Sequence, residues 1–335
     1  LAYLIGYVGI NLFTMGQALN ILIGWDIFTS AMLVAAVSTT YVAFGGQTSV
    51  IMTDLFQGVM LLITGLLLLL FGIEYLGGFD MFWTHLPRTH RLAFPNFNED
   101  PSYPSVGIFW QDAMANSAMF YFLNQGMVMR LMAARSVDDS RKAVMTMLLV
   151  LMPIAALVVA SGGWVGQALT SAGVLPDMEP KEAFFITSSF LSQPGVFGLV
   201  MAALTAALMS TVDTLITAIS AIVVNDIYRP LKPDASESSM LKMARVASVS
   251  IAIIGVLLVP VFQSFGSIYS AHGAFTAAIT PPLVITLLLG VFWKRFSTKA
   301  AIITMLLGLS IIFWSILQPE IITPFAHGVP MKEAK

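Results

Sequence analysis

Asp213 stands in the run Ala206-Ala207-Leu208-Met209-Ser210-Thr211-Val212-Asp213-Thr214, deep inside a long apolar stretch. Ala207, Ser210, Thr211 and Thr214 are spaced i, i+3, i+4, i+7 and share one helix face, with Asp213 flanking it beside Ser210 and Thr217. The result is a strip of small residues and hydroxyl oxygens with one carboxylate. A sodium ion is hard and takes several oxygen ligands, which hydroxyls, backbone carbonyls and a carboxylate supply. Helix packing is an alternative origin for the small and hydroxyl residues, since they allow close approach and bond across helices or to the i−4 carbonyl. It gives no reason for an acid. A charge at mid-membrane costs about 2.5–3.5 kcal/mol on insertion scales, and the Lys and Arg residues read as loop or span-end charges, so none is expected to neutralise Asp213. A bound cation or a proton is the expected partner.

Asp54 follows Thr53 near the inner part of another apolar stretch, just after Gly45-Gly46. It is either a helix N-terminal acid favoured by the dipole or a second oxygen donor to a cation shared with the Asp213 region. Asp112 lies toward the outer end of its stretch and suits a wet vestibule, while Asp26 and Glu74 sit at stretch ends within reach of water. The segment from Asp112 to Gln125 carries Asn116, Ser117, Asn124 and Gln125 around Phe120 and Tyr121. Aromatic rings beside amides suit a pocket that stacks and hydrogen-bonds a small solute; amides tying helices together are the alternative. His272 stands alone, as a hydrogen-bonded core residue or a pocket residue, beside Gly273 in a Gly/Ala-rich run ending at Pro281-Pro282. That run is expected to kink or open, and discontinuous helices at mid-depth are a device of secondary transporters.

The elements that must hold these residues are set by composition. Of 335 residues 57% are hydrophobic and only 10% charged, with a mean hydropathy of +0.85. So few charges cannot cover a soluble surface, and lipid is the expected solvent. This excludes a soluble enzyme, a nucleic-acid binder and a disordered chain. The net charge of −2 implies no polyionic partner, and the absence of cysteine excludes disulfides and thiolate chemistry. About nine segments reach the length of roughly 20 residues that spanning needs: 1–23, 25–44, 49–76, 107–131, 143–169, 194–224, 243–264, 268–293 and 298–318. They must be helices, because period-2 alternation is missing. A short outer helix is expected over 182–191.

Basic residues set the orientation. Arg130, Arg135, Arg141, Lys142, Arg229, Lys232, Lys242, Arg245, Lys294, Arg295 and Lys299 occupy alternate loops, which are expected to be cytoplasmic. Arg88, Arg91, Lys181, Lys332 and Lys335 fall on the other side. The loop 77–106 is then external. Leu1 to Ile23 is a span with no basic region or cleavage site before it, so it does not read as a signal peptide. With Leu in first place, the chain reads as an internal piece of a longer protein. No phosphate-cradling glycine loop is present, so ATP is not the expected energy source.

Four stretches together resemble the sodium:solute symporter family. They are Tyr41 through Gly45-Gly46 and Thr53-Asp54 to Gln57; Asn124-Gln125 through Arg130 to Arg135; Ala206 through Ser210-Thr211 to Asn225-Asp226 and Tyr228; and Leu289 to Trp293-Lys294. The resemblance implies an all-α integral membrane fold of the leucine-transporter (LeuT) type, two inverted five-helix repeats, of which core helices 3 to 10 plus one more lie here. Residues 1–335 then form one transmembrane domain. Residues 1–76 are the remainder of the first repeat, 77–106 the external loop, 107–293 the second repeat, and 294–335 an extra helix and tail.

By the same resemblance, Ala207, Ser210 and Thr211 hold sodium, and Asp54, Ser210, Asp213 and Thr214 form a second cation site. Ser117, Phe120, Tyr121, Asn124, Gln125, His272 and Gly273 are assigned to the solute pocket and its gate. Members often have a small residue where Asp213 stands; an acid there strengthens a second cation site or links it to protons. By the resemblance, Val150 stands where the sugar members have Lys, and Gly273 near their pocket Gln, which puts a sugar in doubt without naming a replacement. The expected activity is sodium-coupled symport of a small organic solute by alternating access, in a multi-pass plasma-membrane protein, with sodium as coupling ion and no covalent chemistry. Sugar, amino acid and carboxylate solutes all stay open. The alternatives are a proton-coupled transporter and a solute-sensing domain of a signalling protein.

Overall fold

Helices account for nearly all of the described backbone, because an apolar segment in lipid can satisfy its N–H and C=O groups only along itself. The computed structural model describes residues 1–91, 124–179, 182–264 and 268–318. No strand occurs among them. α1 (Ala2–Ile23) stops at Gly24, which takes the left-handed φ of 72° and donates its N–H to Asn20. Asp26 then caps α2 (Ile27–Tyr75), accepting from the Thr29 N–H at 2.9 Å and the Thr29 hydroxyl at 3.0 Å. These bonds, the backbone one foremost, hold the exposed Asp26 carboxyl below the usual carboxylate range.

α2 has 49 residues. At 1.5 Å per residue that is about 74 Å, more than twice the roughly 30 Å hydrocarbon core. It is therefore two spans joined at Gly46, whose φ of 59° and ψ of −156° belong to a region that essentially only glycine enters. The joint falls in the gap between the spans expected over 25–44 and 49–76. α3 (Phe79–His85) follows and buries Phe82, with Leu86 just beyond, against Val165, Ala168 and Leu169.

α4 (Gln125–Met132) precedes α5 (Val137–Thr146), which is capped by Ser136. A π turn, Met147–Leu151, leads into α6 (Met152–Ser171). α7 (Ala183–Leu191) is the short helix expected over 182–191. α8 (Pro194–Ile222) runs into a second π turn, Val223–Tyr228, and α9 (Glu237–Gln263) follows. Each π turn ends two residues before a proline, Pro153 and Pro230. The wider turn moves the carbonyl that the ring would otherwise strike.

The contacts divide the chain into two units, Leu1–His90 with Met129–Phe265, and Arg91–Val128 with Gly266–Lys335. In the first unit, α8 packs along α2 and α1 along α9. Every residue from Val212 to Ser220 is buried, so this part of α8 is enclosed on all sides. α2 and α6 approach closely at glycines: a Cβ at Gly65 would lie 2.2 Å from Val158 Cγ1, and one at Gly72 2.2 Å from Val165 Cγ1. Small residues at such seams let helices pack without a hydrophobic drive from water.

The second unit contains α10 (Ile268–Phe292) and α11 (Thr298–Leu317), which pack on each other where Gly308 meets Pro282. The sequence led us to expect a kink or opening in α10. It does not open: the helix runs unbroken through Pro281 and Pro282. Proline removes two backbone donors there, but its fixed φ near −65° is itself helical. Among the described residues, five helical stretches are long and apolar enough to cross a membrane: Tyr3–Ile23, Ile27–Tyr75, Val137–Ser171, Pro194–Leu231 and Glu237–Gln263.

Candidate functional site

The strip on α8 forms as its spacing requires. Ser210 donates its hydroxyl to the Ala207 carbonyl at 2.8 Å, and Thr214 donates to the Ser210 carbonyl at 2.8 Å. Thr217 donates to the Asp213 carbonyl at 2.8 Å. Ala207, Ser210 and Thr211 are half-buried, and the strip enters the enclosed part of α8 at Asp213, whose exposure is 0%. Ser210 and Ala207 thus present a paired hydroxyl and carbonyl that a cation can take over together once the hydroxyl turns.

Two further helices bring charge to this strip. Asp54, on the second half of α2, lies with its Oδ2 3.5 Å from the Thr214 hydroxyl. Arg130, in the last turn of α4, donates through Nη2 to Asp54 Oδ2 and also to the Thr214 hydroxyl. Tyr41, on the first half of α2, donates its hydroxyl to Asp213 Oδ2, and Thr214 Oγ1 stands 3.3 Å from Asp213 Oδ1. Asp54, Asp213, Thr214 and, through its carbonyl, Ser210 therefore meet in one place, all within the first unit. Asp54 Oδ1 is buried and has no hydrogen-bond partner.

Arg130 and Tyr41 were missed by residue-level reasoning. The expectation that Asp213 lacks a protein partner is corrected by Tyr41. The placing of Arg130 among the loop cations is corrected by its bond to Asp54. Arg130 stands at the end of an apolar run, and loop counting claims any such arginine, although a long side chain reaches back along its helix. The available signal for Tyr41 was the polar run Ser38-Thr39-Thr40-Tyr41 inside a span.

The charge balance is uneven. Two carboxylates face one guanidinium, and that guanidinium is on Asp54. A phenol hydrogen-bonds Asp213 without neutralising it. Among the described residues, no Lys or Arg forms an ion pair with Asp213, and no group of three or more His, Cys, Asp and Glu converges as a metal cluster. The arrangement can bind a monovalent cation through oxygens, or hold a proton.

Of the residues expected to line a solute pocket, Ser117, Phe120 and Tyr121 lie outside the described residues. Asn124 and Gln125 belong to the second unit, where Asn124 starts α4 and accepts the Met127 N–H at 3.1 Å. His272, half-buried, and Gly273 belong to α10 of the same unit.

The model of the sodium:solute symporter family matches residues 1–308. A sodium/glucose cotransporter of Vibrio parahaemolyticus is 25% identical over 321 residues, covering 89% of this chain and 59% of that protein. The mouse (Mus musculus) sodium-coupled monocarboxylate transporter 2 is 26% identical over 214 residues, covering 62% of this chain and 34% of its own length. The chain thus spans less than two thirds of the length of either relative. Among solved structures, a Na+-coupled sialic acid symporter in a substrate-bound outward-open state superposes with a TM-score of 0.78 at 20% identity. The superposition covers 94% of this chain and 69% of that one. The likeness establishes an all-α fold of the LeuT type.

Proposed function

The chain belongs to the sodium:solute symporter family, and from that premise we propose that it serves sodium-coupled symport of a small organic solute. This membership and the five membrane-length helices make it an integral, multi-pass membrane protein; we place it in the plasma membrane. One observation carries the ion reading. A strip of hydroxyl and carbonyl oxygens on α8 meets two carboxylates and one guanidinium, which leaves Asp213 without a countercharge among the described residues.

In this reading Ala207, Ser210 and Thr211 supply oxygens to one sodium ion. Asp213, Thr214, Ser210 and Asp54 form a second cation site, in which Arg130 is a tethered cation. The donor set fits: hydroxyls, carbonyls and carboxylates are the ligands a hard ion prefers, and none need be deprotonated beyond the acids. Sodium bound here stabilises one conformation over the other by its differential affinity, and solute binding in that conformation commits both to release on the opposite side. Gly46, the one non-helical residue inside α2, joins the half that carries Tyr41 to the half that carries Asp54. We assign the solute to the amide-bearing region of Ser117, Phe120, Tyr121, Asn124 and Gln125, with His272 and Gly273, and divide the chain into repeats at 1–76 and 107–293. Relatives named for glucose and for monocarboxylates leave the solute class open.

The test is uptake by the full-length protein in proteoliposomes, across a panel of labelled sugars, amino acids and carboxylates. An inward sodium gradient is expected to drive accumulation of at least one. Equal accumulation with potassium in its place would overturn the coupling.

A further inference from the structure

A groove of about 780 Å³ runs between the first half of α2 and α9, both within the first unit. Along α2 it extends from Phe28 to Phe44, and along α9 from Arg245 to Leu257. At 1.5 Å per residue these are about 24 Å and 18 Å, so the groove crosses most of the hydrocarbon depth. Small residues, Ala35, Ala36 and Ala252, stand between the larger Met32, Ile253 and Leu257. Both helices are long and apolar enough to span a membrane, and at that depth no water is present to cover an apolar cleft, which favours hydrocarbon as its occupant.

One end of the groove is charged. Arg245 donates its Nε–H to the Ala43 carbonyl at 3.1 Å, and its guanidinium lies 5.7 Å from the Phe44 ring centroid. These two contacts hold the guanidinium at the mouth of the groove. Its terminal nitrogens make no bond to a described residue and keep the planar fork that matches a phosphate. Lys242 sits one turn earlier on α9, exposed on the same side of the membrane. Both belong to the set of basic residues that the charge rule places in the cytoplasm, where anionic lipid is concentrated.

We propose that this groove binds one acyl chain of an anionic glycerophospholipid of the cytoplasmic leaflet, with the phosphate on Arg245. The combination of an apolar cleft of membrane depth and a pre-set guanidinium at one end selects a lipid over a soluble anion, which has nothing to place against Met32 or Leu257. Lys242 adds the second positive charge that favours a net-negative headgroup over a zwitterionic one. The site is independent of the sodium reading, because it shares no residue with the Asp54–Asp213 region. It does adjoin the joint at Gly46: Ala43, Phe44 and Arg245 also line a neighbouring cavity of about 390 Å³ that contains Gly45, Gly46 and Gln47.

The experiment is native mass spectrometry of the full-length protein released from nanodiscs of equal parts phosphatidylglycerol and phosphatidylcholine. The wild type is expected to retain about one phosphatidylglycerol per chain, favoured over phosphatidylcholine by roughly thirty-fold, given about 1 kcal/mol for each of the two basic residues near the surface. Arg245→Gln lowers that preference about five-fold, while Arg245→Lys keeps most of it. Ala36→Phe, on an exposed face of α2, fills the cleft and removes retained lipid of both kinds. Equal retention of the two lipids by the wild type would overturn the proposal, and so would an unchanged preference in Arg245→Gln. A protein helix seated in the groove of the full-length chain would overturn it as well.

Discussion

Replacing Arg130 with Gln removes the described guanidinium that reaches Asp54. The side chains are 30% and 16% exposed, so the pair is neither fully buried nor free in water. Breaking a buried pair by removing one partner costs about 3–5 kcal/mol, and an exposed pair is worth at most about 1 kcal/mol. Partial exposure puts this pair between them, at roughly 2 kcal/mol. Asp54 would keep only the Thr214 hydroxyl at 3.5 Å, with its other oxygen already unpartnered. The same change vacates oxygens that a sodium ion can use. Sodium at one hundred times its dissociation constant stabilises the folded state by about 2.7 kcal/mol. The full-length Arg130→Gln protein is therefore expected to melt several degrees below wild type in potassium, and the gap should close as sodium is titrated in. Adding Asp54→Asn to Arg130→Gln should restore stability in potassium and abolish the extra sodium response. A thermal melt of all four proteins of the cycle against both salts reads each outcome. A variant as stable as wild type in potassium, or a deficit that saturating sodium leaves intact, would refute the reasoning.

Tyr41→Phe leaves the buried Asp213 without its phenol donor and should cost about 1.5–3 kcal/mol in the same melt, the range for hydrogen bonds to charged groups; Asp213→Asn should be hurt less by adding Tyr41→Phe. Gly46→Ala forces a side chain into a backbone region reserved for glycine and should cost about 1–3 kcal/mol, with reduced sodium-driven uptake as a second readout. Gly72→Val drives a branched side chain into Val165 across the α2–α6 seam and should destabilise by about 1–3 kcal/mol or more, whereas substitution at Gly58, whose Cβ would meet nothing within 4 Å, should be near neutral.

Much of the fold is legible in the sequence, because lipid leaves a chain few choices. Length and hydropathy locate α1, α8, α10 and α11 to within two residues and the C-terminal ends of α6 and α9 as closely, though not their starts, and the double glycine marks the joint in α2. The strip from Ala207 to Thr214 is equally legible, since helical spacing alone puts these groups on one face. Legibility fails where the outcome depends on contacts distant in sequence. The bond from Tyr41 to Asp213 joins residues 172 positions apart, and that from Arg130 to Asp54 joins residues 76 apart. Neither follows from a local pattern. Arg130 misleads further, because an arginine at a span end counts as a loop charge until its reach is known. The proline pair in α10 misleads in the opposite way. It marks two lost hydrogen bonds, yet the helix continues unbroken across them, because the fixed φ of each ring is itself helical.

Direct binding of radiolabelled sodium to the purified full-length protein tests the central claim with no solute in hand. The wild type is expected to bind sodium saturably, Ser210→Ala with Thr211→Ala to lose most of that binding, and Asp213→Asn to lower its stoichiometry. Absence of saturable binding in the wild type, or the same binding in all three proteins, would contradict the account.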